Sequence, residues 1–259
     1  MIDIEPGLPL IDAGSVPAVS AATMAEVDRL AVEEYGIDLL QMVEQSGSHL
    51  AELVRLVIGG DLRGWRIMVA AGPGNNGAGG LAAARHLANR GASVRVVLAR
   101  PVNRLSAAGR HHVATLLQMA VECCVAVYDV SDAELDEELA RADLAVDAIL
   151  GYRAVGEPRA EAGLLVGRLA GARAPVISLD LPSGIDPDTG EASGIAVCAA
   201  ATLTLALPKR GLSSPSGREH AGRSYLADIG LPAALYRRLG IEPGAPFAAG
   251  RIVGLGSPA

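Results

Sequence analysis

The sequence predicts an α/β fold: a doubly wound, mostly parallel sheet with helices on both faces. Three observations predict it. Short runs of Val, Ile, Leu and Ala alternate with stretches of helical period between residues 65 and 179, the pattern of strand–helix–strand crossovers. Those runs are apolar throughout rather than at every second residue, as in strands buried on both faces. The stretch Ala70-Ala71-Gly72-Pro73-Gly74-Asn75-Asn76-Gly77-Ala78-Gly79-Gly80 turns the first run into a helix through glycines. Such a turn leaves the first amides of the helix free to face an anion.

The elements follow in order. Residues 1–20 carry Pro and Gly with no period and are expected to form an extended arm. Met24, Val27, Leu30, Ala31 and Val32 recur at helical spacing and predict a helix over 21–35, ended by Gly36. A second helix is expected over 38–58, with Leu50, Leu53, Val54 and Val57 on its apolar side and Gly59-Gly60 as its stop. Two helices thus precede the first strand. Strands are then expected over 65–70, 93–99, 125–128, 144–149 and 175–179, separated by helices over 81–90, 105–121, 133–141 and 160–172. Later strand patterns at 201–207 and 223–228 should extend one edge, and 240–259 reads as a Gly/Pro-rich tail. No repeat or linker interrupts the chain, which reads as a single domain over 1–259.

The composition narrows the partners. Of the 259 residues, 50% are hydrophobic and only 3% aromatic, so small aliphatic side chains must fill the core and helices can pack close to the sheet. A net charge of −7 argues against nucleic acid, whose phosphates call for a basic surface. The acidic N-terminus lacks the basic and apolar regions of a signal peptide, and no run is long enough to span a bilayer. A soluble cytoplasmic protein with no membrane partner is expected. Cys123, Cys124 and Cys198 suit neither a disulfide framework nor a zinc site and read as buried free thiols.

Ligands of such sheets bind beyond the carboxyl ends of the strands, near the switch in strand order. Three polar clusters fall there. Asn75 and Asn76 follow the first strand of the alternation. Asp147 and the loop of Gly151, Tyr152, Arg153, Ala154, Val155, Gly156 and Glu157 follow the fourth, and Asp180-Leu181-Pro182-Ser183-Gly184-Ile185-Asp186 follows the fifth. Each has an ordinary alternative as a cap or turn residue. Their convergence on one edge points instead to a site. An amide, a carboxylate and a hydroxyl are oxygen donors, a set suited to a hard cation.

The acidic residue that would bind a ribose 2′-hydroxyl at the end of the second strand of the alternation is missing, and Arg100 stands there. That weakens a dehydrogenase reading, leaving an NADP-dependent variant with Arg100 on a 2′-phosphate as a minor alternative. His111 and His112 fall in mid-helix, with at least one expected at the surface, and His86 has no partner evident from the sequence.

The motifs Gly72-Pro73-Gly74-Asn75-Asn76-Gly77, Val146-Asp147-Ala148-Ile149-Leu150-Gly151 and Leu179-Asp180-Leu181-Pro182-Ser183-Gly184-Ile185-Asp186 resemble successive motifs of the NAD(P)H-hydrate epimerase family, the YjeF N-terminal domain. Asp28, Met42-Val43-Glu44-Gln45-Ser46-Gly47, Thr202-Leu203-Thr204, Leu207-Pro208-Lys209-Arg210-Gly211-Leu212 and Asp228-Ile229-Gly230 extend the likeness in the right order over about 20–232.

The resemblance implies a Rossmann-like three-layer αβα sandwich and a homodimer. It implies an isomerase that interconverts the R and S forms of hydrated NADH and NADPH (NADHX and NADPHX), a repair of damaged nucleotides. A dehydratase then acts on the S form, and the chain ends too early to hold one, so that partner is expected to be a separate protein. By the same resemblance Asn76, Asp147 and Ser183 would bind a potassium ion. Asn75, Asn76, Gly77, Ala78, Gly79, the loop from Gly151 to Glu157 and Asp180 would contact the nucleotide. Asp180 would be the catalytic carboxylate, with Lys209 a further candidate.

Two positions depart from the family pattern. Ala78 and Gly79 stand where Gly-Asp is usual, and Tyr152-Arg153 where Thr-Gly is usual. Glycine offers no proton-transfer group. The second reading is therefore a degenerate member that binds a nucleotide or a protein without catalysis.

Overall fold

The computed structural model of the chain describes residues 2, 5–125 and 129–256. In chain order the elements are β1 (Leu10–Asp12), α1 (Ala21–Glu33), α2 (Leu39–Ile58), β2 (Arg66–Ala71), α3 (Asn75–Asn89), β3 (Ser93–Leu98) and α4 (Ala107–Gln118). There follow β4 (Glu122–Val125), α5 (Asp132–Arg141), β5 (Leu144–Ala148), α6 (Ala160–Ala170), β6 (Val176–Leu179) and β7 (Ala201–Leu205). Last come α7 (Pro215–Ala221), β8 (Arg223–Ala227), α8 (Ala233–Arg237) and β9 (Ile252–Gly256).

The described residues form one nine-stranded sheet in the order β1-β9-β8-β7-β6-β5-β2-β3-β4. Its neighbours pair in parallel except β8 and β9, which are antiparallel. The chain runs outward from β2 through β3 to β4, then returns to place β5 on the other flank of β2. That reversal opens a crevice at the carboxyl ends of β2 and β5.

The three layers follow from alternation along the strands. Ile67, Val69 and Ala71 of β2 pack with Leu50 and Leu53 of α2, Leu81 and Leu87 of α3, and Val113 and Leu116 of α4. Met68 and Ala70 face the opposite layer, where α5 and α6 supply Leu135, Leu139, Leu165 and Leu169. A third cluster seats α1 and α8 against the far strands through Met24, Val27, Leu235, Leu226 and Val253. Each buried leucine contributes about 1.5–3 kcal/mol relative to exposure.

Helix ends are set locally. Asp38 caps α2, accepting from Leu40 N while Gln41 reaches back to the cap, and Gly59 ends the helix at φ 98°. Ser20 caps α1 by accepting from Thr23 N. Both N-terminal helices therefore carry strong start signals.

The structure differs from the sequence expectation in four places. Helix α3 starts at Asn75, not at residue 81. Gly72 and Gly74 form the turn, whereas Gly77, Gly79 and Gly80 are helical and let α3 approach the sheet: a Cβ on Gly80 would stand 2.4 Å from Ala148 Cβ. Strand β4 ends at Val125, and residues 126–128 of the expected strand lie outside the described residues. The expected arm contains β1, and the expected tail contains β9, which close one margin of the sheet together.

Candidate active site

Three strand ends build the site. After β2, Gly74 caps α3 with no side-chain hydrogen bond, so the first-turn amides of the helix lack a side-chain partner and favour an anion. Asn76 turns inward: its Nδ2 donates to Leu150 O at 3.0 Å and Leu179 O at 3.2 Å. Its Oδ1 is buried without a partner among the described residues.

Asp147, at the end of β5, is fully buried. Its Oδ2 accepts from Ser178 Oγ and Ser183 N, each at 2.8 Å, and its Oδ1 accepts from Ser183 Oγ at 2.5 Å and Ile149 N at 3.2 Å. Ser183 Oγ also accepts from Leu150 N at 2.9 Å. Burial pushes the Asp147 carboxyl above its ordinary value, against the hydrogen bonds from Ser183, Ser178 and Ile149. Asn76 and Ser183 thus meet at Leu150, with Asp147 directly behind.

Asp180 follows β6 in the left-handed region, φ 70°. Lys209, just beyond β7, donates through Nζ to Asp180 Oδ1 and, at 2.9 Å, to Leu205 O. The pair is buried at the floor of the site. Asp180 Oδ2 accepts the Tyr152 amide at 3.0 Å.

Tyr152 spans the space to α1. Its hydroxyl donates to Asp28 Oδ2 at 2.5 Å and accepts from Arg153 Nε at 2.9 Å. Burial pushes the Tyr152 phenol upward, and the neighbouring Asp28 adds to the shift.

These groups surround a cavity of about 440 Å³ whose wall includes Asp28, Asn75, Asn76, Tyr152, Asp180 and Lys209. Of the predicted binding residues, Gly79, Gly151, Arg153 and Ala154 also line it. Gly77 and Ala78 lie outside this wall, as do Val155, Gly156 and Glu157. Val155 is 82% exposed. Asp147 and Ser183 sit behind the wall rather than in it. A Cβ on Gly79 would stand 2.8 Å from Leu179 Cδ2, so a larger residue requires that leucine to move.

Sequence reasoning missed the apolar wall that α1 and α2 supply through Met24, Leu39, Met42 and Val43. The signal was present in the motif matches at Asp28 and at Met42 to Gly47, which carried no role. Beside Pro73, which it shares with the main cavity, a second hollow of about 400 Å³ is lined by Arg100, Pro101 and Arg104.

Other expectations change. Arg100 pairs with Glu161 at 2.9 Å. His86 does have a partner, Glu44 Oε1, at 2.8 Å. The mid-helix pair keeps its expectation of one residue at the surface, with His111 exposed and His112 buried. Cys124 is buried but Cys198 is exposed, against the expectation of buried thiols. It lies at the surface with its Sγ 3.3 Å from His220 Nδ1.

Residues 39–211 match the family described as YjeF-related protein N-terminus. The chain belongs to this family. The matched span covers α2 through the residues just past Lys209, and so contains all three strand-end clusters of the site. An NAD(P)H-hydrate epimerase of Dehalogenimonas lykanthroporepellens, similar across its length, is 38% identical over 93% of this chain and 94% of its own. A bifunctional NAD(P)H-hydrate repair enzyme of Salinibacter ruber is 36% identical over 88% of this chain, but the match spans 43% of that enzyme. The YjeF-related fold is also seen in the crystal structure of yeast YNL200c, with a TM-score of 0.80 and 26% identity over 93% of this chain and all of that one.

Proposed function

We propose that the protein is an NAD(P)H-hydrate epimerase, interconverting the R and S forms of hydrated NADH or NADPH. One observation carries the reading: the buried Asp180–Lys209 pair faces a cavity whose rim is the uncapped start of α3. A carboxylate for the ring and free amides for a phosphate are what a nicotinamide nucleotide presents itself to. Beyond Pro73, the hollow lined by Arg104 and by Arg100, which is paired with Glu161, would take the adenosine end of the dinucleotide.

Water adds to an enamine at the carbon next to nitrogen, so the hydrated ring is a carbinolamine. Its hydroxyl leaves as water when protonated, and the ring nitrogen's lone pair forms the C=N⁺ bond. Water then returns to the opposite face and gives up a proton, restoring the balance. Asp180 is placed to orient the ring and take that proton, and Lys209 holds Asp180. Asn75, Asn76, Gly151 and Ala154 shape the walls around the ring.

A potassium ion would be held by Asn76, Asp147 and Ser183. Among the described residues no group of three or more His, Cys, Asp or Glu could hold a metal, whereas this mixed oxygen set suits a hard monovalent cation. Two features among the described residues support it: the buried, unpartnered Asn76 Oδ1 and an Asp147 carboxylate bonded to neutral donors. The ion would supply the charge that this buried carboxylate lacks. A homodimer in the cytoplasm, acting on the same damaged nucleotides as a dehydratase, completes the reading.

The bare position at Gly79, with Leu179 crowding it, favours a second reading, a nucleotide-binding member without catalysis. An NMR assay following R-to-S conversion of hydrated NADH, with and without potassium, separates the two. Interconversion above the spontaneous rate supports the epimerase; nucleotide binding with no rate gain supports the second reading.

A further inference from the structure

Among the described residues two carboxylates, not one, face the cavity. Asp28 comes from the middle of α1, more than a hundred residues before Asp180, and its side chain is 20% exposed. Tyr152 joins them: its backbone amide donates to Asp180 Oδ2, and its hydroxyl donates to Asp28 Oδ2. The acids are therefore held apart by the length of one tyrosine, with the ring of Tyr152 lining the space between them. A small planar heterocycle lying against that ring has a carboxylate at either end.

We propose that Asp28 is a second catalytic carboxylate, the proton donor to the departing hydroxyl, and that Tyr152 is its positioning residue. This rests on the epimerase reading. The exchange needs one group that gives a proton and another that receives one, and two carboxylates in different surroundings divide those tasks. Asp180 has a buried ammonium at hydrogen-bonding distance. Asp28 meets a neutral phenol, while the nearest cation, Arg153 Nη2, stands 3.5 Å away on an exposed side chain.

The groups facing Asp28 are Tyr152 and Arg153 from the loop after β5, Lys209 after β7, Asp180 after β6, and Tyr236 from α8. Burial pushes the Asp28 carboxyl up. The Tyr152 hydrogen bond and the charges of Arg153 and Lys209 oppose that without cancelling it, and Asp180 adds to the rise. Asp28 therefore keeps its proton to higher pH than an exposed aspartate does.

The test uses the full chain, with Asp28→Asn and Tyr152→Phe assayed on R-NADHX by NMR across a range of pH. Asp28→Asn is expected to lower kcat on the order of 100-fold with KM little changed. Tyr152→Phe removes a hydrogen bond that favours the carboxylate, so the fall in rate at alkaline pH moves to higher pH. A structural role for Asp28 predicts instead that the two variants lose equal rate and that the alkaline limb stays put; either result overturns the inference. Should Asp28→Asn fail to fold, the limb of Tyr152→Phe decides alone. A wild type that does not interconvert the epimers sinks the proposed function itself; an active wild type matched by Asp28→Asn sinks only this step.

Discussion

Lys209 and Asp180 stand at the ends of adjacent strands and meet as an ion pair, with 1% and 5% of their side-chain surfaces exposed. A charge so deeply buried is costly to leave alone, and removing one partner of such a pair destabilises by roughly 3–5 kcal/mol. Lys209→Met is therefore expected to lower stability by about that amount, read by urea unfolding. Asp180→Asn also takes the counter-charge from Lys209, at a smaller cost because an amide oxygen can still accept from the ammonium. Asparagine accepts the left-handed backbone that position 180 adopts, and Lys209 keeps Leu205 O as an acceptor. The variant should fold and lose epimerisation; full turnover would remove Asp180 from the chemistry.

Potassium should act through Asn76. If the ion binds the folded chain alone, it raises stability by mass action, about 2.7 kcal/mol at a hundredfold excess over its dissociation constant. Thermal unfolding in potassium chloride should exceed that in choline chloride at equal ionic strength, and Asn76→Ala should erase the difference. Equal midpoints for the wild type in the two salts count against the ion site.

The seam between α2 and α3 makes a third prediction. A Cβ on Gly47 would lie 2.4 Å from Ala82 Cβ and 2.7 Å from both Ala83 N and Gly79 O. Two of those atoms are backbone and cannot rotate aside. Gly47→Ala should cost about 1–3 kcal/mol or more by forcing the helices apart. Because Asn75 and Asn76 ride on α3, binding should weaken with it. Denaturant unfolding and nucleotide titration measure the two effects.

His49 and His112 are buried, and the Nε2 of each lacks a partner among the described residues. Burial lowers both below the ordinary histidine value of 6.5. The unfolded chain then takes up protons near pH 6.5 that the folded chain refuses, so this contribution is complete above that pH and is lost as pH falls below it. Melting points at pH 7.5, 6.5 and 5.5 should show the decline beginning below 6.5, and His112→Leu should flatten it. A midpoint that is level or rising from pH 6.5 to 5.5 contradicts the assignment.

What the sequence disclosed was what is local. The parallel alternation, the strand-end polar clusters and the glycine stops at Gly36 and Gly59 are written in neighbouring residues. What stayed hidden depends on distant packing. Gly79 and Gly80 look like helix breakers until Leu179 and Ala148 are seen pressed against them. Strand β9 is short, glycine-containing and set antiparallel to β8, so no period announces it. The Tyr152 hydroxyl finds Asp28 across 124 residues, and His86 finds Glu44 across 42. Pairings of that range carry no spacing that a linear reading can detect.

Leu10–Asp12 lies alongside Gly254 to Gly256, and β9 joins that ladder to the rest of the sheet. Head and tail of the fold are thereby zipped to each other at the margin remote from β4. Removing β9 unfastens β1, whereas removing β1 leaves β9 held by β8, so damage at the tail should surface as fraying at both ends. The same adjacency invites a circular permutant, its old ends sewn together across this margin and new ones cut near exposed Val155, in which β2, β5 and β6 keep their neighbours.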